Sequence, residues 1–149
     1  MTEKPSSSGD HMKLDDFLCF TVYSTNHAFN RIYKPLLETL DLTYPQYLAM
    51  VALWQKDDQT VGSLGEKLFL ESSTLTPLLK RLEATGHLKR VRDARDERQV
   101  RIQLTESGRA LEEKAQAIPN CILEATGLTE ETLQALKHAL SKVRTAMLR

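Results

Sequence analysis

The stretch TVGSLGEKLFLESSTLTPLLKRLEATGHLKRVRDARDERQVRIQLT, residues 60–105, decides how this chain folds. Thr60 offers a hydroxyl N-cap, and Val61, Leu64 and Leu68 follow at helical spacing, so a short helix is predicted over Val61–Phe69. A second helix over Ser72–Thr85 carries Leu75, Leu78, Leu79 and Leu82, and Gly86 stands where a left-handed C-cap residue belongs. Pro77 is awkward for that helix unless it lies near the first turn. The pattern then changes to that of strands, with Leu88 and Val91 in His87–Arg92 and Val100, Ile102 and Leu104 in Gln99–Leu104. The charged loop Asp93–Arg98 joins the two runs into a β-hairpin. Two short helices followed at once by a basic hairpin make a winged helix-turn-helix. In such a module the second helix enters the DNA major groove and the hairpin reaches the backbone or minor groove.

Outward from this head, the chain reads as helix on both sides. Leu14, Leu18, Val22, Phe29, Ile32, Leu36 and Leu40 form one stripe of a first helix, which Pro35 is expected to kink or divide. Thr43 is an N-cap, with Pro45 in the first turn of a helix running to about Gln55, and Asp57, Asp58 and Gln59 read as a polar loop. Thr105 caps a long helix to about Thr126, bent or loosened at Pro119. Thr129 with Glu130 and Glu131 opens a last helix presenting Leu133, Leu136, Leu140, Val143 and Met147 on one face. The expected fold is mainly α with a small β-hairpin. A Ser/Gly-rich disordered lead occupies residues 1–10, and one domain occupies 11–149. Within it the winged helix-turn-helix spans about 44–104, with dimerisation helices at about 13–40 and 105–148. The terminal helices each carry an apolar stripe that must be buried, which calls for a second subunit.

Composition is that of an ordinary globular chain of 149 residues, 41% hydrophobic and 27% charged. No run approaches the roughly 20 apolar residues of a membrane span, and no secretory leader is visible, so a cytoplasmic protein with no membrane partner is expected. Basic and acidic residues balance at 20 each, but His87–Arg101 holds six cations against three carboxylates. The two cysteines, Cys19 and Cys121, are too few for a CxxC-type zinc site, and a permanent cytosolic disulfide is not expected. No metal or cofactor motif and no catalytic constellation is present.

On the recognition helix, Ser72, Ser73, Thr74 and Thr76 are small hydroxyl residues suited to close approach, and Lys80 and Arg81 follow one to two turns on. In the wing, Arg95 is the first choice for minor-groove insertion and Arg98 the second, because Asp96 stands ready to hold Arg98 in an ion pair.

The wing text Asp93-Ala94-Arg95-Asp96-Glu97-Arg98 leading to Leu104-Thr105-Glu106-Ser107-Gly108 resembles a MarR-type transcriptional regulator. Four further runs narrow the resemblance to its organic-hydroperoxide-sensing (OhrR) branch. They are His11-Met12-Lys13-Leu14 through Leu18-Cys19-Phe20, Tyr33-Lys34-Pro35-Leu36-Leu37, Leu42-Thr43-Tyr44-Pro45-Gln46-Tyr47-Leu48 and Leu75-Thr76-Pro77-Leu78-Leu79-Lys80-Arg81. The likeness covers nearly everything after the first ten residues. It implies a homodimeric repressor on an inverted-repeat duplex, induced by organic hydroperoxides and recycled by a thiol reductant. It also implies that Cys19 is the peroxidatic residue, that Tyr33 and Tyr44 hydrogen-bond its sulfur, and that Cys121 resolves it as an intersubunit disulfide, as in the two-cysteine subclass.

Physical chemistry bears on this site independently. Cys19, Tyr23, Asn26, Asn30 and Tyr33 fall within about 40° of one line on a helix. Fourteen residues of helix rise about 21 Å, so Tyr33 cannot touch Cys19 of its own straight helix and would come from the other subunit. Phenol donors favour a thiolate, the reacting species. Phe17, Phe20 and Phe29 offer an apolar surround for an organic peroxide. Bridging needs Cα atoms within about 7 Å; where Cys19 and Cys121 start farther apart, oxidation drags one helix against another and changes the separation of about 34 Å that two half-sites demand. Two other readings stand beside this one. One is a thiol peroxidase using Cys19 and Cys121, against which the lack of a βαβ pattern with CxxC counts. The other is a small-ligand-gated MarR regulator in which both cysteines are bystanders.

Overall fold

The computed structural model describes residues 11–149; the lead expected over 1–10 lies outside the described residues. A 3-10 turn at Leu14–Asp16 precedes α1 (Leu18–Glu38), followed by α2 (Tyr44–Gln55), β1 (Gln59–Thr60), α3 (Val61–Leu68) and α4 (Ser72–Ala84). The wing strands β2 (Leu88–Arg92) and β3 (Val100–Leu104) lead to α5 (Glu106–Ala115), α6 (Ile118–Thr126) and α7 (Glu130–Met147).

Side-chain caps set most helix starts. Thr43 and Gln46 form a reciprocal capping box on α2, while Thr60, Thr105 and Thr129 accept from the Ser63, Gly108 and Thr132 amides. Each such cap is worth about 1 kcal/mol. Gly86 closes α4 with φ 87°: its amide reaches the Glu83 carbonyl, and the His87 amide reaches Leu82. That pair of bonds requires a residue comfortable in the left-handed region. Pro77 lies inside α4 without ending it.

Three readings change. The first helix starts at Leu18, because Phe17 is extended at φ −91°, ψ 116°, and Pro35 sits within α1 without dividing it. The polar loop contains a strand: β1 pairs antiparallel with β3, Gln59 opposite Ile102, giving a three-stranded sheet in the order β1-β3-β2. The long helix after the wing is two helices, α5 ending at Ala115 and α6 starting at Ile118. Pro119 has no amide to offer the Ala115 carbonyl and its ring would crowd it, so the break falls one turn before the proline.

The core lies in the head. Met50, Leu53, Leu64, Leu75, Leu79, Leu82, Leu88 and Ile102 are fully buried, joined by Leu37 of α1, Leu111 of α5 and Ile118 of α6. Trp54 Nε1 donates to the Gly108 carbonyl at 2.8 Å, tying α2 to α5. By contrast α7 buries no residue, and Leu18, Val22, Ile32, Leu136, Leu140 and Val143 are all exposed. No helix among the described residues is long and apolar enough to cross a membrane.

Candidate nucleic-acid interface and cysteine site

The first turn of α4 presents Ser72, Ser73 and Thr74 to solvent, with Thr76 half-buried behind them. At 100° per residue, Lys80 lies within about 20° of Ser73, whereas Arg81 lies about 180° from Ser72. The clefts agree: Ser72 and Thr76 line one with Arg98 of the wing, and Arg81 lines another with Glu38, Asp41 and Gln46. The expected set therefore divides: Ser72, Ser73, Thr76 and Lys80 fall on one side of α4, and Arg81, with Thr74 seven residues before it, falls on the side away from the wing.

At the wing tip, Asp93 accepts from the Arg95 amide at 2.7 Å, leaving the exposed Arg95 guanidinium without an ion pair among the described residues. Arg98 pairs with Asp96 at 3.2 Å while 92% exposed, so the tie is loose. The wing's base is held differently. Arg101 Nε donates to Asp58 Oδ1 at 2.8 Å, Nη2 to the Asp58 carbonyl at 2.6 Å and Nη1 to Asp93 Oδ2 at 3.1 Å. Asp57 accepts from the Leu104 amide at 2.9 Å and from Arg109 at 2.9 Å.

These contacts hold Asp58 below the usual carboxylate range, chiefly through Arg101, and hold Asp93 there through the Arg95 amide and then Arg101. Burial pushes Asp57 up, but the Leu104 amide and Arg109 more than offset it. The sequence reading missed this brace. Its one signal was a pair of acids, Asp57 and Asp58, standing just before the basic hairpin.

On the opposite part of the chain, Cys19 in the first turn of α1 and Cys121 on α6 are both exposed free thiols. Tyr33 of α1 and Tyr44 of α2 pack with ring centroids 4.7 Å apart, and Tyr47 stands 5.9 Å from Tyr33. Burial and then the neighbouring phenols push Tyr33 up to about 12, and burial also raises Tyr44. The pair remains protonated, and so a donor, at every physiological pH.

One unbroken helix separates Cys19 from Tyr33 by about 21 Å of rise, so the chain does not bring its cysteine to its own tyrosine. Nor do the three phenylalanines meet. Phe17 precedes the helix, Phe20 is half-buried beside Cys19 in sequence, and Phe29 lies about 15 Å further along α1. Phe29 instead lines an apolar cleft with Ile32, Ile122 of α6, and Leu133 and Leu136 of α7. Among the described residues no cluster of His, Cys, Asp and Glu is arranged to hold a metal.

A helix-turn-helix with a braced, arginine-tipped wing is the reading head of a winged-helix transcriptional regulator. The family described as "Transcriptional regulator SarA/Rot" matches residues 31–115. The organic hydroperoxide resistance transcriptional regulator of Bacillus subtilis is 50% identical over 131 residues, covering 88% of this chain and 89% of that protein. AbfR of Staphylococcus epidermidis is similar in structure, with a TM-score of 0.75 at 37% identity over 91% of this chain and 95% of that one. A disulfide-formed AbfR matches with a TM-score of 0.62 at 39% identity, covering 86% and 92% of the two chains. This chain belongs to the MarR-type winged-helix transcriptional regulators, in the branch of the organic hydroperoxide regulators.

Proposed function

We propose that this chain is a redox-sensing DNA-binding repressor that acts as a cytoplasmic homodimer on an inverted-repeat duplex. The observation that carries the reading is a free, exposed thiol on α1 joined to a winged reading head, in a chain half identical to a hydroperoxide resistance regulator. The helices at about 13–40 and 105–148 form the dimer interface, which accounts for the uncovered apolar faces of α1 and α7. In the dimer, Cys19 of one subunit meets Tyr33 and Tyr44 of the other, and this removes the conflict with helix length.

The chemistry is a two-electron oxidation. The Cys19 thiolate attacks the distal oxygen of an organic hydroperoxide, the O–O bond breaks, and the alkoxide leaves and is protonated to the alcohol. The resulting sulfenic acid condenses with the Cys121 thiol of the partner, forming a disulfide and releasing water. Two equivalents of an external thiol restore both cysteines. Tyr33 and Tyr44 supply phenol donors that favour the thiolate, and Phe17 and Phe20, next to Cys19 in the chain, shape an apolar approach.

On the DNA, Ser72, Ser73, Thr76 and Lys80 face the major groove, Thr74 and Arg81 reach the flanking backbone, and Arg95 and Arg98 serve the wing. The protein is a stoichiometric switch rather than an enzyme, in line with its relatives, which are transcriptional regulators. DNA affinity measured before cumene hydroperoxide, after it, and again after dithiothreitol tests the reading. Affinity should fall and then return, and indifference to peroxide would overturn it.

A further inference from the structure

Residue 90 is a cation in an inward-facing position. Strand alternation puts Arg90 on the same face as buried Leu88, and its cross-strand partner is Ile102, which is fully buried. An apolar side chain is expected there. The Arg90 Nε is shut off from solvent and meets no hydrogen-bond acceptor, and its guanidinium joins no ion pair among the described residues. The nearby carboxylate is already engaged, because Glu83 Oε2 accepts from the Arg90 backbone amide at 2.8 Å. Leaving a desolvated arginine donor unpaired is costly, so the position favours an anionic acceptor.

The surroundings say which anion. Arg90 lines a cleft between the recognition helix and the wing, together with Ser72, Thr76, Thr60, Arg98 and Gln99. Its polar side chains are hydroxyls, an amide and two guanidiniums, with no carboxylate, and it opens between the two elements that straddle a DNA strand. We propose that Arg90 is a DNA-contacting residue that clamps one backbone phosphate in this cleft, with Ser72 and Thr76 as hydroxyl donors. The inference rests on the reading of the chain as a DNA-binding protein. Arg90 thereby links recognition helix and wing through a single phosphate, fixing the depth of α4 in the groove. As a phosphate contact it acts on any sequence and carries no base information.

The experiment compares wild type, Arg90→Gln and Arg90→Lys on a random-sequence duplex of about 30 base pairs, across a salt series and beside thermal melting. Arg90→Gln should lose about 10- to 100-fold in affinity and flatten the log K against log salt slope by about one unit. Arg90→Lys should keep the slope but recover only part of the affinity, since a lysine lacks the fork. The melting temperature of Arg90→Gln should equal or exceed that of wild type, because an unpaired, desolvated guanidinium Nε has been removed. A lowered melting temperature with an unchanged salt slope would make Arg90 a structural residue and overturn the proposal, as would unchanged affinity. Failure of the wild type itself to bind the duplex would instead sink the DNA-binding reading on which the proposal stands.

Discussion

Tyr33 and Tyr44 lie ring against ring, 4.7 Å between centroids and tilted by 50°, although they come from different helices. Each withdraws the other from water, and Tyr33 is pushed up to about 12 as a result. A tyrosine whose folded value exceeds its unfolded value of 10.0 stabilises the fold fully below that pH and loses the contribution as pH rises toward about 12. Unfolding measured by urea between pH 9 and 12, roughly the span of the two values, should therefore show a decline that Tyr33→Phe flattens. An identical decline in the mutant would remove Tyr33 as its source.

The same two residues bear on the redox rate. Tyr33→Phe and Tyr44→Phe keep the rings but remove the donors, so oxidation of Cys19 should slow without stopping. Stopped-flow mixing with cumene hydroperoxide checks this. Wild-type rates in both variants would show that neither phenol acts on the thiolate.

The brace at the wing's base separates support from contact. Asp58 carries negative charge near DNA, so electrostatics alone predict tighter binding in Asp58→Asn. If the bonds from Arg101 hold the wing in place, Asp58→Asn should instead bind DNA more weakly, and Arg101→Ala more weakly still. Because Asp58 and Asp93 are held low, this brace contributes fully above the usual carboxylate value of 3.8 and is lost as pH falls from there through their lowered folded values. Tighter binding by Asp58→Asn would show that the ion pair does not position the wing.

Much of this was legible in the sequence because the signals were local. Thr43, Thr60, Thr105 and Thr129 marked helix starts by their hydroxyls, and Gly86 marked an end by its freedom at positive φ. What was lost depended on distant partners. The strand at Gln59–Thr60 is two residues long with no period of its own, and it exists because Ile102 and Arg101 of β3 pair with it. Arg90 read as one more cation in a basic hairpin until Ile102 appeared opposite it, and Arg81 was grouped with Lys80 although it lines a different cleft from Ser72 and Thr76. The separation of Cys19 from Tyr33 was legible in advance, since helix rise alone fixes it.

Two glycines test the packing of the head by opposite mechanisms. A Cβ at Gly86 meets nothing within 4 Å, so Gly86→Ala carries only the left-handed backbone penalty of about 1 kcal/mol. A Cβ at Gly108 would lie 2.0 Å from the His87 carbonyl oxygen, which is backbone and has no rotamer to change. Gly108→Ala should cost about 3 kcal/mol or more and loosen the junction of α5 with the wing. Equal urea midpoints for the two variants would contradict this close approach.

The last prediction assigns separate tasks to the two cysteines and depends on the dimer. Wild type should sediment as a dimer at micromolar concentration, and Ile32→Glu with Leu140→Glu should dissociate it by charging the exposed apolar faces. Cys19→Ser should bind DNA normally and ignore hydroperoxide, since no sulfenic acid can form. Cys121→Ser should still oxidise at Cys19 but form no covalent dimer, leaving a sulfenic acid exposed to over-oxidation. On a non-reducing gel, oxidised wild type should run at twice the chain mass and neither single mutant should. Mass spectrometry of the band should identify a Cys19–Cys121 peptide pair. A wild type that loses DNA affinity on oxidation yet stays monomeric on that gel would remove Cys121 as the resolving thiol while leaving Cys19 as the sensor. A Cys19→Ser protein that still releases DNA on peroxide treatment would remove the sensor itself, and the apolar cleft around Phe29, Ile122 and Leu136 would become the place to look for an inducer.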